Sequence, residues 1–177
     1  MGCTKSKLVG PEVIENYPSF IRHEMHLTGP LLGPEATVKL AEVILKLPQL
    51  ISVDLSKNSL KDMGGPDNVA AVIEALTHCE VLNTLKINNC QLGDDGAKAV
   101  AKHLPKLTVN RLELQGNGIQ KEGMLALFEA LAQSKARLVF LEDNLKCKEG
   151  SDEWMAVMHA ENEASNARQR NLQVFMR

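Results

Sequence analysis

Three stretches of this chain repeat one spacing of aliphatic residues around a small polar one. They read Leu50-x-x-Val53-x-Leu55-x-x-Asn58-x-Leu60, Leu82-x-x-Leu85-x-Ile87-x-x-Cys90-x-Leu92 and Val109-x-x-Leu112-x-Leu114-x-x-Asn117-x-Ile119. A unit of this length cannot bury its apolar side alone, so repetition forces the units to stack. Alternation within each unit predicts a short strand, with Val53 and Leu55 inward and Asp54 and Ser56 outward. The Asn closes the strand, where its side-chain amide can bond backbone groups of a tight turn. In the second stretch Cys90 takes that place. It reads as a small, buried structural thiol, since no second ligand lies at metal-site spacing.

A glycine six residues past each anchor fixes the register: Gly64, Gly96 and Gly123. Counting back from Gly150 recovers a fourth unit, with Val139, Leu141 and Asn144. Met25, Leu27 and Leu32 fit a degenerate first unit with Pro30 at its anchor. The five anchors are then 28, 32, 27 and 27 residues apart. Between them run apolar stripes at helical spacing: Leu40, Val43, Ile44, Leu47; Val69, Val72, Ile73, Leu76; Ala97, Val100, Ala101, Leu104; and Met124, Leu127, Phe128, Leu131. Asp94 and Asp95 stand where a helix N-terminus favours negative charge, and His78 and His103 where a C-terminus favours positive. The long 32-residue interval places its extra residues, Gly65-Pro66-Asp67-Asn68, as a bulge at the strand-to-helix turn.

This pattern resembles the leucine-rich repeat, and the helix-bearing units resemble its ribonuclease-inhibitor-like subtype. That subtype includes the repeats of Ran GTPase-activating protein, of the Nod-like receptors and of the C-terminal domain of tropomodulin. The resemblance covers about residues 20–160. It implies an α/β fold: a short right-handed solenoid, parallel strands on the concave face and α-helices on the convex face.

The expected organisation is a segment at 1–19, a repeat domain of about five layers at 20–170 and a tail at 171–177. The unit at 20–47 is the natural N-terminal cap, its strand decorated by Arg22, Glu24 and His26. A helix over roughly 150–168 is the C-terminal cap, with Trp154, Val157 and Met158 on its inner side. The apolar tail Leu172-Gln173-Val174-Phe175-Met176 either docks back on the cap or serves as a partner-binding segment.

Met1-Gly2-Cys3-Thr4-Lys5-Ser6 matches the myristoylation pattern, with Gly2 as acceptor. Cys3 beside it suits palmitoylation, and Lys5 and Lys7 add positive charge. These seven residues resemble the membrane-targeting segment of several Src-family kinases. One myristoyl chain gives only marginal binding, roughly 10⁴ M⁻¹; a second chain makes the anchor stable. The expectation is a tether to the cytoplasmic face of a membrane, plasma or flagellar or ciliary.

On the concave face the outward residues should stack in columns. The central column is His26, Asp54, Lys86, Glu113, Phe140; one flank is Glu24, Ser52, Thr84, Arg111, Leu138; the other is Thr28, Ser56, Asn88, Gln115, Glu142. The face is either a solvated surface with ion pairs such as Lys86 with Asp54 or Glu113, or a protein-binding site anchored by Phe140, Leu138 and Arg111.

No catalytic constellation, metal site or cofactor motif is found; the five histidines are scattered. Aromatics are 3% of a chain that is 44% hydrophobic, which suits thin aliphatic layers. A net charge of −2 argues against a general nucleic-acid binder. No apolar run reaches the roughly 18 residues of a membrane span, and no secretory signal follows the first lysines. The four cysteines therefore read as free thiols. The reading is a monomeric, non-enzymatic adaptor that binds a protein on its concave face and a membrane through its lipids. The alternatives are a small-GTPase regulator or an actin-binding module of tropomodulin type.

Overall fold

The structure, a computed structural model, describes Pro11, Ile14 and residues 23–29, 32–169 and 171–176. The expectations for Gly2, Cys3, Ser6, Arg22 and the Pro30 anchor lie outside the described residues.

Strand and helix alternate along the chain: β1 Glu24–His26, α1 Pro34–Ile44, β2 Ser52–Asp54, α2 Pro66–Leu76, β3 Thr84–Lys86, α3 Gly93–His103, β4 Arg111–Glu113, α4 Lys121–Ala132, β5 Leu138–Phe140, α5 Asp152–Ala167 and β6 Gln173–Phe175. The six strands among the described residues form one parallel sheet in sequence order. Each helix packs on the next. Neighbouring strands sit about 4.8 Å apart and packed helices about 8–10 Å, so such a stack curves with its strands inside. This is a short leucine-rich-repeat solenoid.

The core is a pile of aliphatic layers. Met25, Val53, Leu85, Leu112 and Val139 are fully buried from the strands, and Leu40, Ile44, Val72, Ile73, Val100, Leu104, Leu127 and Leu131 from the helix side. Phe128 is the large aromatic among them. Val43 and Leu47 pack on this core while half-buried. In α5 the deeply buried residues are Val157 and Ala164. Trp154 is half-buried and, with Leu145, Met158, Val174, Phe175 and Met176, lines a groove of about 580 Å³. Proline opens α1 and α2, where its missing N–H costs no helical bond.

The anchors tie each layer to the one before. Asn117 donates Nδ2 to the carbonyls of Ile87 (2.6 Å) and Leu114 (2.8 Å) and accepts the Cys90 N–H at 2.7 Å. Asn144 donates to Leu114 (2.9 Å) and Leu141 (2.8 Å) and accepts from Asn117 N at 2.9 Å. Asn58 donates to Leu27 (2.6 Å) and Leu55 (2.8 Å) and accepts from Leu32 N at 3.0 Å. Cys90 imitates this weakly: its thiol donates to the Leu55 and Asn88 carbonyls, both at 3.4 Å. Burial pushes that thiol up to about 11, as expected of a structural cysteine.

The residue before each anchor turns the chain with a positive φ: Gly29 (106°), Lys57 (65°), Asn89 (56°), Gly116 (65°) and Asp143 (58°). Glycine, asparagine and aspartate tolerate this region best; Lys57 shows that the ladder imposes it.

The register glycines have two separate causes. Gly64 (φ 93°) and Gly150 (φ 81°) take left-handed turns. Gly96 and Gly123 lie inside helices, where an added Cβ on Gly123 would come within 2.7 Å of Asp94 Oδ1 and Ile119 Cγ2.

Two expectations are corrected. The long interval carries its extra length in the turn over residues 60–65, whereas Pro66, Asp67 and Asn68 already belong to the first turn of α2. Met63 is buried in that turn, and Asn68 Nδ2 clasps its carbonyl at 2.9 Å. Ser56 is buried rather than outward, because its Oγ accepts the Asn88 N–H at 3.1 Å. His103 stands in the last turn of α3, as expected, but is buried there, and burial lowers its pKa. The tail, left open between docking back and partner binding, packs back on the domain: β6 pairs with β5 and adds a sixth strand.

Candidate protein-binding face

The strand register brings the outward residues together. Glu24, Ser52, Thr84, Arg111, Leu138 and Gln173 are successive partners, and so are His26, Asp54, Lys86, Glu113, Phe140 and Phe175. The third row follows through carbonyls: Gly29 N–H to Ser56, Lys57 N–H to Asn88, Asn89 N–H to Gln115 and Gly116 N–H to Glu142.

At the centre stands Glu113, whose side chain is only 7% exposed. Arg111 Nε donates to its Oε1 at 2.6 Å, Lys86 Nζ lies 3.4 Å from the same oxygen, and Asn88 Nδ2 donates to Oε2 at 3.0 Å. Burial alone would raise this carboxyl; the hydrogen bonds from Arg111 and Asn88 and the charges of Lys86 and Arg111 outweigh it and hold it below the ordinary glutamate value. Of the two ion pairs weighed for Lys86, the structure makes the one with Glu113. Asp54 turns instead to the Ser56 N–H, at 3.0 Å.

Arg111 is fixed twice. Its guanidinium also lies 4.1 Å over the Phe140 ring, and Phe140 stacks on Phe175 with centroids 4.7 Å apart and planes 9° off parallel. Such a cation–π contact contributes about 0.5–2 kcal/mol and holds the cation in place. The Nε is spent on Glu113, while the side chain keeps 39% of its surface. Leu138 is half-buried beside it on β5.

At the other end Glu24, His26 and Asp54 line the first two strands. His26 Nε2 is 3.3 Å from Glu24. On the third row one carboxylate oxygen of Glu142 is buried without a hydrogen-bond partner among the described residues.

Two contributors escaped the sequence reading. Asn88 was assigned to a flank, yet it braces Glu113 and accepts the Gln115 N–H at 2.9 Å. Phe175 was left in the tail, although Gln173-Val174-Phe175-Met176 repeats the strand pattern of Leu138-Val139-Phe140-Leu141. Among the described residues no group of His, Cys, Asp and Glu could hold a metal ion, and no helix is long and apolar enough to cross a membrane.

Comparison with known proteins agrees with this architecture. The family described as Leucine Rich repeat matches residues 78–101 and 106–128. No curated protein sequence matches the chain. Among solved structures, the chain is similar to that titled Leiomodin-1 Actin-Binding Site 2 (ABS2), with a TM-score of 0.57 and 22% identity over 77% of this chain and 75% of that one. At that identity the likeness is one of fold.

Proposed function

We propose that this leucine-rich-repeat solenoid is a non-enzymatic protein-binding adaptor. Its docking surface is the concave face, and lipids on Gly2 and Cys3 hold it to the cytoplasmic leaflet of a membrane. The observation that carries the docking reading is the braced cluster of Glu113, Arg111, Phe140 and Phe175. A solvated face has no need to immobilise a long cation between a buried carboxylate and an aromatic ring. A pre-ordered Arg beside stacked aromatics loses little entropy when a partner arrives, and Arg and aromatic residues are enriched at protein interfaces. Membrane attachment rests on the Met1–Lys7 segment alone.

Partner capture from cells with the full chain tests the docking face. Phe140→Ala combined with Arg111→Ala should lose the captured protein, whereas a double variant that retains it removes the proposal. Gly2→Ala should release the protein into the soluble fraction; persistence on membranes removes the tether.

A second reading is an actin-binding module. What favours it is the fold likeness to the actin-binding site of leiomodin-1. Co-sedimentation with filamentous actin and binding to monomeric actin decide it, and no binding to either form ends it.

A further inference from the structure

The concave face is not a uniform polar surface. Across β1 and β2 its two strand columns carry Glu24, Asp54 and the uncharged Ser52, with His26 paired to Glu24. Across β3 and β4 they carry Lys86 and Arg111 against one buried Glu113, a balance of one positive charge whose exposed part is all cation. Across β5 and β6 they carry Leu138, Phe140, Phe175 and Gln173, with no charge at all. The face therefore reads acidic, cationic, apolar along the axis of the stack. Glu142 lies outside this order, on the third row, with a carboxylate oxygen turned into the protein.

Resting on the reading that this face is the docking surface, we infer that it takes an amphipathic α-helix of a partner protein laid across the strands. The helix carries base, acid and apolar residues in that order on one side. A helix rather than an extended strand is required because the face offers side chains, not free backbone; an extended segment would leave its own peptide groups unmatched, whereas a helix bonds them internally. Five strand gaps of about 4.8 Å span about 24 Å, the length of about 16 helical residues. The acid then follows the base by roughly one to two turns, and the apolar anchor follows the acid by the same interval. The acid meets the exposed part of the Arg111 side chain and the Lys86 ammonium. The anchor lies against the Phe140–Phe175 stack, and the base faces Glu24 and Asp54.

The order is the testable content. Two synthetic 18-residue alanine-based helices of identical composition are titrated into the full chain by fluorescence anisotropy. One presents Lys, Glu and Leu-Phe pairs in the order base–acid–apolar; the other presents acid–base–apolar. Turning the second helix end to end does not rescue it, because that sets its acid on the apolar strands. The first should bind at least tenfold more tightly, and Lys86→Gln should remove most of that ratio by weakening the first peptide and relieving the like-charge contact of the second. Lys86 is part-exposed, so this variant keeps the fold, which its thermal midpoint verifies. Equal affinities, or no binding of either peptide, overturn the inference. The docking reading is judged separately by cellular capture: if Phe140→Ala with Arg111→Ala abolishes capture while both peptides bind alike, the docking face stands and the helix assignment falls.

Discussion

Replacing Asn117 by alanine should damage the fold far more than replacing Cys90, although both residues fill the same position of the repeat. The difference follows from what each leaves behind. Asn117 is 1% exposed, and it is the described partner of the Ile87 carbonyl and the Cys90 N–H; Leu114 keeps its bond from Asn144. Asn117→Ala therefore strands two buried backbone groups. At about 1–3 kcal/mol for each unmet group the loss is about 2–6 kcal/mol, a large part of the roughly 5–15 kcal/mol that holds a domain together. Cys90→Ala strands none: the Leu55 carbonyl keeps Asn58 Nδ2, and the Asn88 carbonyl keeps the Lys57 N–H. Its cost is that of one buried methyl-sized group, about 1 kcal/mol. Urea unfolding of the full chain followed by far-UV circular dichroism reads both values. Equal losses for the two variants would refute the argument that the anchors act through unmet backbone groups.

Three further outcomes are expected. Gly123→Ala should destabilise by about 1–3 kcal/mol despite better helix propensity, because its Cβ meets Asp94, Ile119 and Ala97 at 2.7–3.0 Å where α3 and α4 touch; a raised thermal midpoint would show that the gap yields. Because the folded-state pKa of Glu113 lies below its ordinary value, its ionised form stabilises the fold above the ordinary glutamate range, and that contribution is lost as pH falls through the folded pKa. Wild type should accordingly lose more stability than Glu113→Gln between neutral pH and pH of about 3, and parallel melting curves would contradict this. With Cys3 replaced by serine, Cys147 should react with a thiol reagent at pH of about 8 before Cys79 and Cys90, whose thiols burial pushes up to about 11; prompt labelling of all three in the folded protein would exclude buried thiols.

Much of the fold was legible because the repeat is enforced by burial. Val53, Leu85, Leu112 and Val139 must face inward for the layers to stack, and a one-residue slip would expose them all. The column order then follows, since residues at equal offset from the anchors become strand partners. What the sequence hid was decided by relations between units. The aromatic stack joins residues 35 positions apart, and Phe175 entered it only because β6 pairs with β5. The role of Asn88 depends on Glu113 bending back toward it. The extra turn at residues 60–65 was misplaced because Pro66 both breaks a loop and opens a helix. The context that chooses is the buried Met63, three positions before it.

The thiol rung also has a mechanical consequence. Amide bonds of 2.6–2.9 Å clamp the first layer to the second, the third to the fourth and the fourth to the fifth. Between the second and third the corresponding side-chain link is a single S–H contact, from Cys90 to the Leu55 carbonyl at 3.4 Å. Under tension, or in slow amide exchange, the solenoid should part there first into two cooperative blocks, one ending with α2 and the other beginning with β3. The first block carries the acidic strands and the second the cationic and apolar ones. A load applied along the stack would thus pull the docking surface apart before either block unfolds.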